Sequence, residues 1–257
     1  MSNDFTTVTE TWGLRASPEQ LAMQYFRYRL AAQLARDRDV LEIGCGSGMG
    51  LPYLAAHARR VVGGDYTMGL LLEAREHLPN NDLVRFDAQH LPFLDASLDV
   101  VLMLEMIYYV ADQAAAFAEC RRVLRPGGAL MVCVPNPERP DFNPSPFSTS
   151  YPNARELTRL FEGNGFAVEV SGAFRVEAES SRDRLLAPIR HVAVRYKLIP
   201  SSMRMKAIVK RVLYGPLPKM GEVHDGMADD EQAVSVDLNG APVHEFKNLY
   251  ATGRLPG

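Results

Sequence analysis

A short apolar run, Val40-Leu41-Glu42-Ile43, ends in three glycines at alternate positions, Gly44, Gly46 and Gly48. A segment that reads as a helix, Met49-Gly50-Leu51-Pro52-Tyr53-Leu54, follows at once. Strand, glycine turn and helix in this order bring backbone N–H groups close to a nucleotide-like ligand. The dinucleotide fingerprint Gly-x-Gly-x-x-Gly needs a glycine at position 49, where this chain has Met49. A diphosphate wants a helix N-terminus aimed at it. A ligand without phosphate wants glycines for clearance and an acid for its polar groups, and Glu42 stands two residues before the first glycine.

Around that turn the chain alternates regularly. Residues 40–43, 60–64, 83–86, 100–104, 129–134 and 166–170 read as strands, and 68–77, 113–124 and 154–164 as helices between them. Strands separated by helices need crossover connections, which predicts a doubly wound α/β fold with a mostly parallel sheet covered on both faces. Ligands in such sheets bind beyond the carboxyl ends of the strands, where the glycine turn falls. Residues 1–20 are polar and read as loosely structured. Ser17 is placed to cap a helix with Pro18 at its first position, running to about Arg36. Residues 172–245 break the rhythm: 182–211 is rich in Arg and Lys with Asp183 its one acid, and acids gather in 222–237. Phe246–Thr252 returns to strand character. The organisation expected is an N-terminal helical segment (1–36) bordering the site, a core of 37–171 plus 246–257, and an insertion over 172–245 acting as a lid or oligomer contact.

With 257 residues, 47% apolar and 23% charged, the chain buries a substantial core, and its net charge of −3 argues against a general nucleic-acid binder. Cys45, Cys120 and Cys133 show no metal-ligand or disulfide spacing and read as buried, reduced thiols, which fits a cytoplasmic protein; no metal is expected. No signal peptide or stretch of membrane-spanning length is visible in the sequence.

Four further signals follow in order. Val61-Val62-Gly63-Gly64-Asp65 is an apolar run ending in an acid, about twenty residues past the glycine turn, the spacing of an acid that binds a ribose. Asp65 also suits a cap for a helix starting near Thr67, and the two roles are compatible. Arg85-Phe86-Asp87-Ala88-Gln89 ends the third strand in an acid and a small residue; a solvated strand-end Asp is the alternative, which the surrounding pattern disfavours. Leu98-Asp99 opens the fourth strand, which leads to Leu104-Glu105-Met106-Ile107-Tyr108-Tyr109. Arg125-Pro126-Gly127-Gly128 breaks a helix and turns the chain into the fifth strand, a structural role.

These motifs, best over residues 37–171, resemble the seven-strand (class I) S-adenosylmethionine-dependent methyltransferases of small-molecule type. The resemblance implies a Rossmann-like seven-stranded sheet whose last strand is antiparallel. It implies S-adenosyl-L-methionine as cofactor, held by Glu42, Gly44, Cys45, Gly46, Gly48, Asp65, Tyr66, Asp87, Ala88, Gln89 and Leu104. Asp87 would meet the adenine amino group, with its neighbours lining the base pocket. Methyl transfer from a sulfonium needs mainly proximity and alignment, with a general base only where the acceptor must lose a proton. Glu105, Tyr108 and Tyr109 are the catalytic candidates, with His90 and His224 more distant. Many relatives carry histidines where Tyr108 and Tyr109 stand, so a histidine base there is unsupported. The implied acceptor is a small molecule. A proline-rich loop at 141–148, Tyr108-Tyr109 and Lys247–Tyr250 are similar to enzymes of sugar and surface-polysaccharide pathways, pointing to a sugar or a nucleotide- or lipid-linked saccharide. The basic stretch in the insertion suits an anionic acceptor, a solvated helical face, a homodimer contact or a peripheral membrane surface equally. A non-catalytic binding module and an NAD-dependent oxidoreductase are the rival readings, the latter disfavoured by Met49, Asp87-Ala88 and Pro126-Gly127-Gly128.

Overall fold

The computed structural model describes residues 4–140, 142–176, 217–228, 231–238 and 242–257. Its elements are α1 (Pro18–Ala35), β1 (Asp39–Ile43), α2 (Leu51–Ala55), β2 (Arg60–Asp65), α3 (Met68–His77), β3 (Asp82–Arg85) and β4 (Leu98–Leu104). They continue as α4 (Gln113–Val123), β5 (Leu124–Pro135), α5 (Ala154–Gly163), β6 (Ala167–Arg175), β7 (Val234–Ser235) and β8 (Phe246–Arg254). One sheet runs β3-β2-β1-β4-β5-β8-β6-β7. The first five strands pair in parallel, while β8 is antiparallel to both β5 and β6. The expected doubly wound fold is therefore present, with an eighth strand in place of the expected seven. The addition is the two-residue β7, which lies antiparallel on β6 from within the 172–245 region.

The chemistry of the strands explains the two faces. β1, β4 and β5 are buried almost end to end, as strands covered on both sides must be. Val40, Val100, Leu102, Met131 and Cys133 face α1, α2 and α3, together with Phe26, Leu54 and Leu71. Their alternates Leu41, Ile43, Val101, Met103 and Val132 face α4 and α5 through Phe117, Cys120, Leu157 and Phe161. α1 begins with a complete capping box between Ser17 and Gln20, with Pro18 in the first turn. The three cysteines are free and buried, and burial pushes their thiols upward. Among the described residues no helix is long and apolar enough to cross a membrane.

Two motifs are structural and lie away from the glycine turn. Arg125-Pro126-Gly127-Gly128 is not a turn before the fifth strand but a bulge within β5: pairing with β4 jumps from Leu98–Leu124 to Val100–Ala129, with Gly127 at φ +74°. The C-terminal residues clip it, with Gly127 N donating to Pro256 O. Asp99 accepts Asp39 N and pairs with Arg125 and Arg59, tying the starts of β1 and β4 together. β6 runs to Arg175, five residues beyond its expected end, so the break in rhythm begins after it.

Phe161, fully buried, packs edge-on to Phe117 and Phe166 between α5 and the sheet. Phe161→Ala is expected to cost about 3–5 kcal/mol. Urea denaturation should show a lower midpoint at unchanged slope.

Candidate active site

The glycine turn is held in a conformation that side chains resist. Gly44, Gly46 and Gly48 have φ of +75°, +58° and +78°, and a Cβ on Gly44 would lie 2.6 Å from that of Met106. Gly44 N and Cys45 N both donate to Gly64 O, at 2.7 and 3.0 Å. Asp65 completes the lock: Oδ2 accepts Gly46 N at 3.0 Å and Oδ1 accepts Thr67 N at 2.8 Å. Asp65 thus stands at the head of α3 as well as under the turn. Burial raises its pKa, against the pull of those N–H donors.

Glu42 lies beneath this turn. Tyr28 OH donates to its Oε1 at 2.6 Å, and the buried Oε2 has no partner among the described residues. Burial pushes the carboxyl up to about 7, with the Tyr28 bond and the Arg27 guanidinium opposing. Gly50 makes this contact feasible, because a Cβ there would fall 1.9 Å from the Tyr28 ring. An orphaned, buried acceptor on a carboxyl that titrates near neutrality suits a cationic ligand group.

Two cavities of about 290 and 300 Å3 open on either side of the turn. The first is bordered by Asp65, Tyr66, Phe86, Asp87, Ala88 and Gln89. Asp87 Oδ1 accepts both the backbone and side-chain N–H groups of Gln89. The second is bordered by Arg27, Tyr28, Cys45, Leu104, Tyr108 and Asn248, with Phe142 from the proline-rich loop and Tyr151 just after it. Thr9, Gly44, Glu105 and Tyr109 belong to both, so the chambers meet at these four residues. Gly46 borders the second chamber; Glu42 and Gly48 border neither and support the turn from beneath.

Glu105 stands at that junction in a left-handed conformation, φ +59°, unusual for a residue other than glycine. Its N–H donates to Cys133 O, Asn248 Nδ2 donates to its Oε1 at 2.8 Å, and Tyr108 OH to its Oε2 at 3.2 Å. Burial raises its pKa, with Arg27 opposing and Glu10 reinforcing. Tyr108 stacks on Tyr151 at 4.3 Å, and Tyr109 OH meets Ser145 Oγ at 2.6 Å. Burial pushes both Tyr108 and Tyr109 upward, Tyr109 to about 12. The candidate catalytic residues and the glycine turn are thus brought together. His90 and His224 are exposed and border neither chamber.

The N-terminus departs from expectation. Residues 4–16 are not loose but cross the glycine turn. A short 3-10 helix, Phe5–Thr7, is capped by Asp4. Phe5 packs against Tyr66, Tyr109 and Phe147 at the mouth of the first chamber. Trp12 Nε1 donates to Ser47 O at 2.7 Å, and its ring stacks on His77 at 4.3 Å. Sequence reading also missed the parts played by Glu10 and Gly50, which come from separate elements and carry no local motif. It missed Arg122 too, whose guanidinium reaches Leu91 O, Phe93 O, Asp95 and Glu119 and so clamps the loop after Gln89. The basic stretch 182–211, together with Asp141, Asp229 and Asp230, lies outside the described residues. Of the acids nearby, Asp225 accepts the hydroxyls of Tyr25 and Tyr53.

Residues 41–132 match the family model described as a methyltransferase domain. A probable S-adenosylmethionine-dependent methyltransferase of Mycolicibacterium smegmatis is 43% identical over 148 residues, 55% of this chain and 57% of that relative. Residues 41–132 thus carry a methyltransferase domain, and the relatives this chain resembles are described as probable S-adenosylmethionine-dependent methyltransferases. It spans little more than half the length of the curated relatives it matches. Among solved structures, YcgJ of Bacillus subtilis superposes with a TM-score of 0.60 at 17% identity, covering 91% of this chain and 99% of that one. The cyclase SpnF superposes at 0.58 with 21% identity, covering 97% and 88%. Both likenesses show the methyltransferase fold, and neither decides the chemistry.

Glu42 should leave a mark on stability. Its folded pKa of about 7 exceeds the ordinary glutamate range, so between the two the folded state holds the extra proton and stability falls as pH rises. Glu42→Gln should flatten the decline in melting temperature between about pH 5 and 8 and melt higher than wild type at the alkaline end. Identical pH dependence in the two proteins would rule Glu42 out as the source.

Proposed function

We propose that this protein transfers a methyl group from S-adenosyl-L-methionine to a small-molecule acceptor. The observation that carries this reading is the meeting of two chambers at Gly44 and Glu105, one lined by strand-end acids and the other by aromatic and amide side chains. The unpartnered Glu42 Oε2 and the side-chain-free surface of Gly44 fit the cofactor. Glu42, acting from beneath the turn, suits its ammonium, and Gly44, Cys45, Gly46, Gly48 and Leu104 give it clearance and backbone contacts. Asp65 suits the ribose hydroxyls, and Asp87 with Tyr66, Ala88 and Gln89 the base. When bound, the cofactor supplies an electrophilic methyl group on its sulfonium. Met49, buried against Ala16 and Met220, occupies the position a dinucleotide turn reserves for glycine.

Glu105 is the general base in this reading. It would accept and hold the proton that an acceptor hydroxyl gives up as that oxygen takes the methyl group the cofactor would supply. Its raised affinity for a proton suits that task. Tyr108 and Asn248 hold the carboxylate in place, and Tyr109 closes the junction beside Ser145. The second chamber offers the stacked Tyr108–Tyr151 pair as a platform and Gln24, Asn143 and Asn248 as amides, with Gln24 Oε1 buried and unpartnered among the described residues. Arg27 is matched by Glu10 and Lys247 by Glu19. A platform with amides and compensated charge favours a hydroxyl-rich acceptor, a sugar or a nucleotide- or lipid-linked saccharide. The case for an anionic acceptor, a homodimer contact or a membrane-facing lid rests on 182–211, outside the described residues.

In titration calorimetry S-adenosylmethionine should bind and NAD should not. Asp87→Ala should weaken cofactor binding by about ten- to a hundredfold, the worth of a charged hydrogen bond. NAD binding alone would overturn the assignment.

Methyl transfer from labelled cofactor into a panel of mono- and oligosaccharides tests the base. Glu105→Gln should lower turnover on the order of a hundredfold or more while changing cofactor affinity little. Unchanged turnover would remove Glu105 from that role.

A further inference from the structure

Arg27 sits on α1 with its side chain only 12% exposed, and its Nη2 lies 3.1 Å from Glu10 Oε2. Glu10 belongs to the N-terminal segment, between Thr9, whose methyl packs over Gly46, and Trp12, which bonds to Ser47 O. Glu10, Arg27 and Glu105 all face the second chamber. Arg27 favours the Glu105 carboxylate and Glu10 opposes it. A buried cation deprived of its partner acts more strongly on the other carboxyls it already favours, here Glu105 and Glu42.

We propose that Glu10 is a positioning residue: by pairing with Arg27 it keeps that charge off Glu105, so Glu105 is a strong proton acceptor only while the N-terminal segment is seated on the glycine turn. This rests on the reading of Glu105 as general base. With Glu10 in place the guanidinium is matched, and Glu105, bonded to Asn248 and Tyr108, is left as a buried carboxyl whose pKa burial raises. With the segment withdrawn, the unmatched Arg27 stabilises the carboxylate and weakens it as a base. Base strength is thereby tied to closure of the site.

The other groups around Glu105 do not supply this switch. Tyr108 and Tyr109 from the turn after β4, and Tyr151 from the loop after β5, stay protonated because burial raises them. Cys133 on β5 and Tyr250 on β8 are raised for the same reason. Lys247 is paired with Glu19.

The test follows the Glu105 carboxyl by 13C NMR in cofactor-free protein carrying carboxyl-labelled glutamate, with the signal assigned by its loss in Glu105→Gln. Its titration midpoint should move down in Glu10→Gln and up in Arg27→Gln, each by about half a pH unit or more. Glu10→Asp, which keeps the charge, should return it close to wild type. Midpoints unmoved in both neutralising variants would overturn the proposal and leave Glu10 as a structural clip. Failure of the base reading is distinguishable: the midpoints would still move, while Glu105→Gln kept full turnover.

Discussion

The carboxylate of Asp65 holds this site together. Through one side chain it joins the turn after β1, by Gly46 N, to the start of α3, by Thr67 N. Both donors are at the head of a parallel sheet, where neighbouring strands diverge and leave backbone groups without ladder partners. Fixing them orients the glycine turn, and the turn in turn decides where Glu42 lies beneath it and where Met106 and Glu105 pass beside Gly44. The left-handed glycines are the other half of the same constraint. A chain with side chains at 44, 46 and 48 would resist those φ values, and the Met106 side chain would collide with the first of them.

Closure comes from elements outside the sheet's core. The parallel strands leave an open crevice, and residues 4–16 cross it, anchored by Trp12 on Ser47 and His77 and by Phe5 on Tyr66 and Tyr109. α1 adds Tyr28 and Arg27 from one side, and β8 adds Asn248 from the other. The antiparallel insertion of β8 between β5 and β6 matters here, because it places Asn248 opposite Pro135, close to the end of β4 where Glu105 emerges. Side chains from these three stretches border the two chambers. The same fold in SpnF serves a cyclase, which underlines that chemistry resides in these grafted side chains and not in the sheet.

Most of the sheet was legible because a parallel α/β fold writes itself locally. Buried strands are apolar runs, crossover helices fill the intervals, and glycines mark the turn where nothing else fits. α3 was read to its observed ends, and β1, β2 and β4 to within a residue or two. Reading failed where pairing overrides local chemistry. The Pro-Gly-Gly stretch has every local mark of a turn, yet β4 and the C-terminal residues hold it as a bulge inside β5. The two residues of β7 carry no strand signal of their own and are strand only because β6 offers an edge. The polar N-terminus looks loose because its order comes from partners about sixty residues away, Glu73 and His77 among them.

By itself the sequence determined the fold class, the glycine turn and its attendant acids Glu42, Asp65 and Asp87, since each depends on residues adjacent in the chain. Only the tertiary structure decided the rest. The Glu10–Arg27 pair, the Asn248 and Tyr108 bonds to Glu105, and the room that Gly50 leaves for Tyr28 join residues far apart in sequence. No periodicity records such contacts, because they arise where crossover connections return separate elements to the same edge of the sheet.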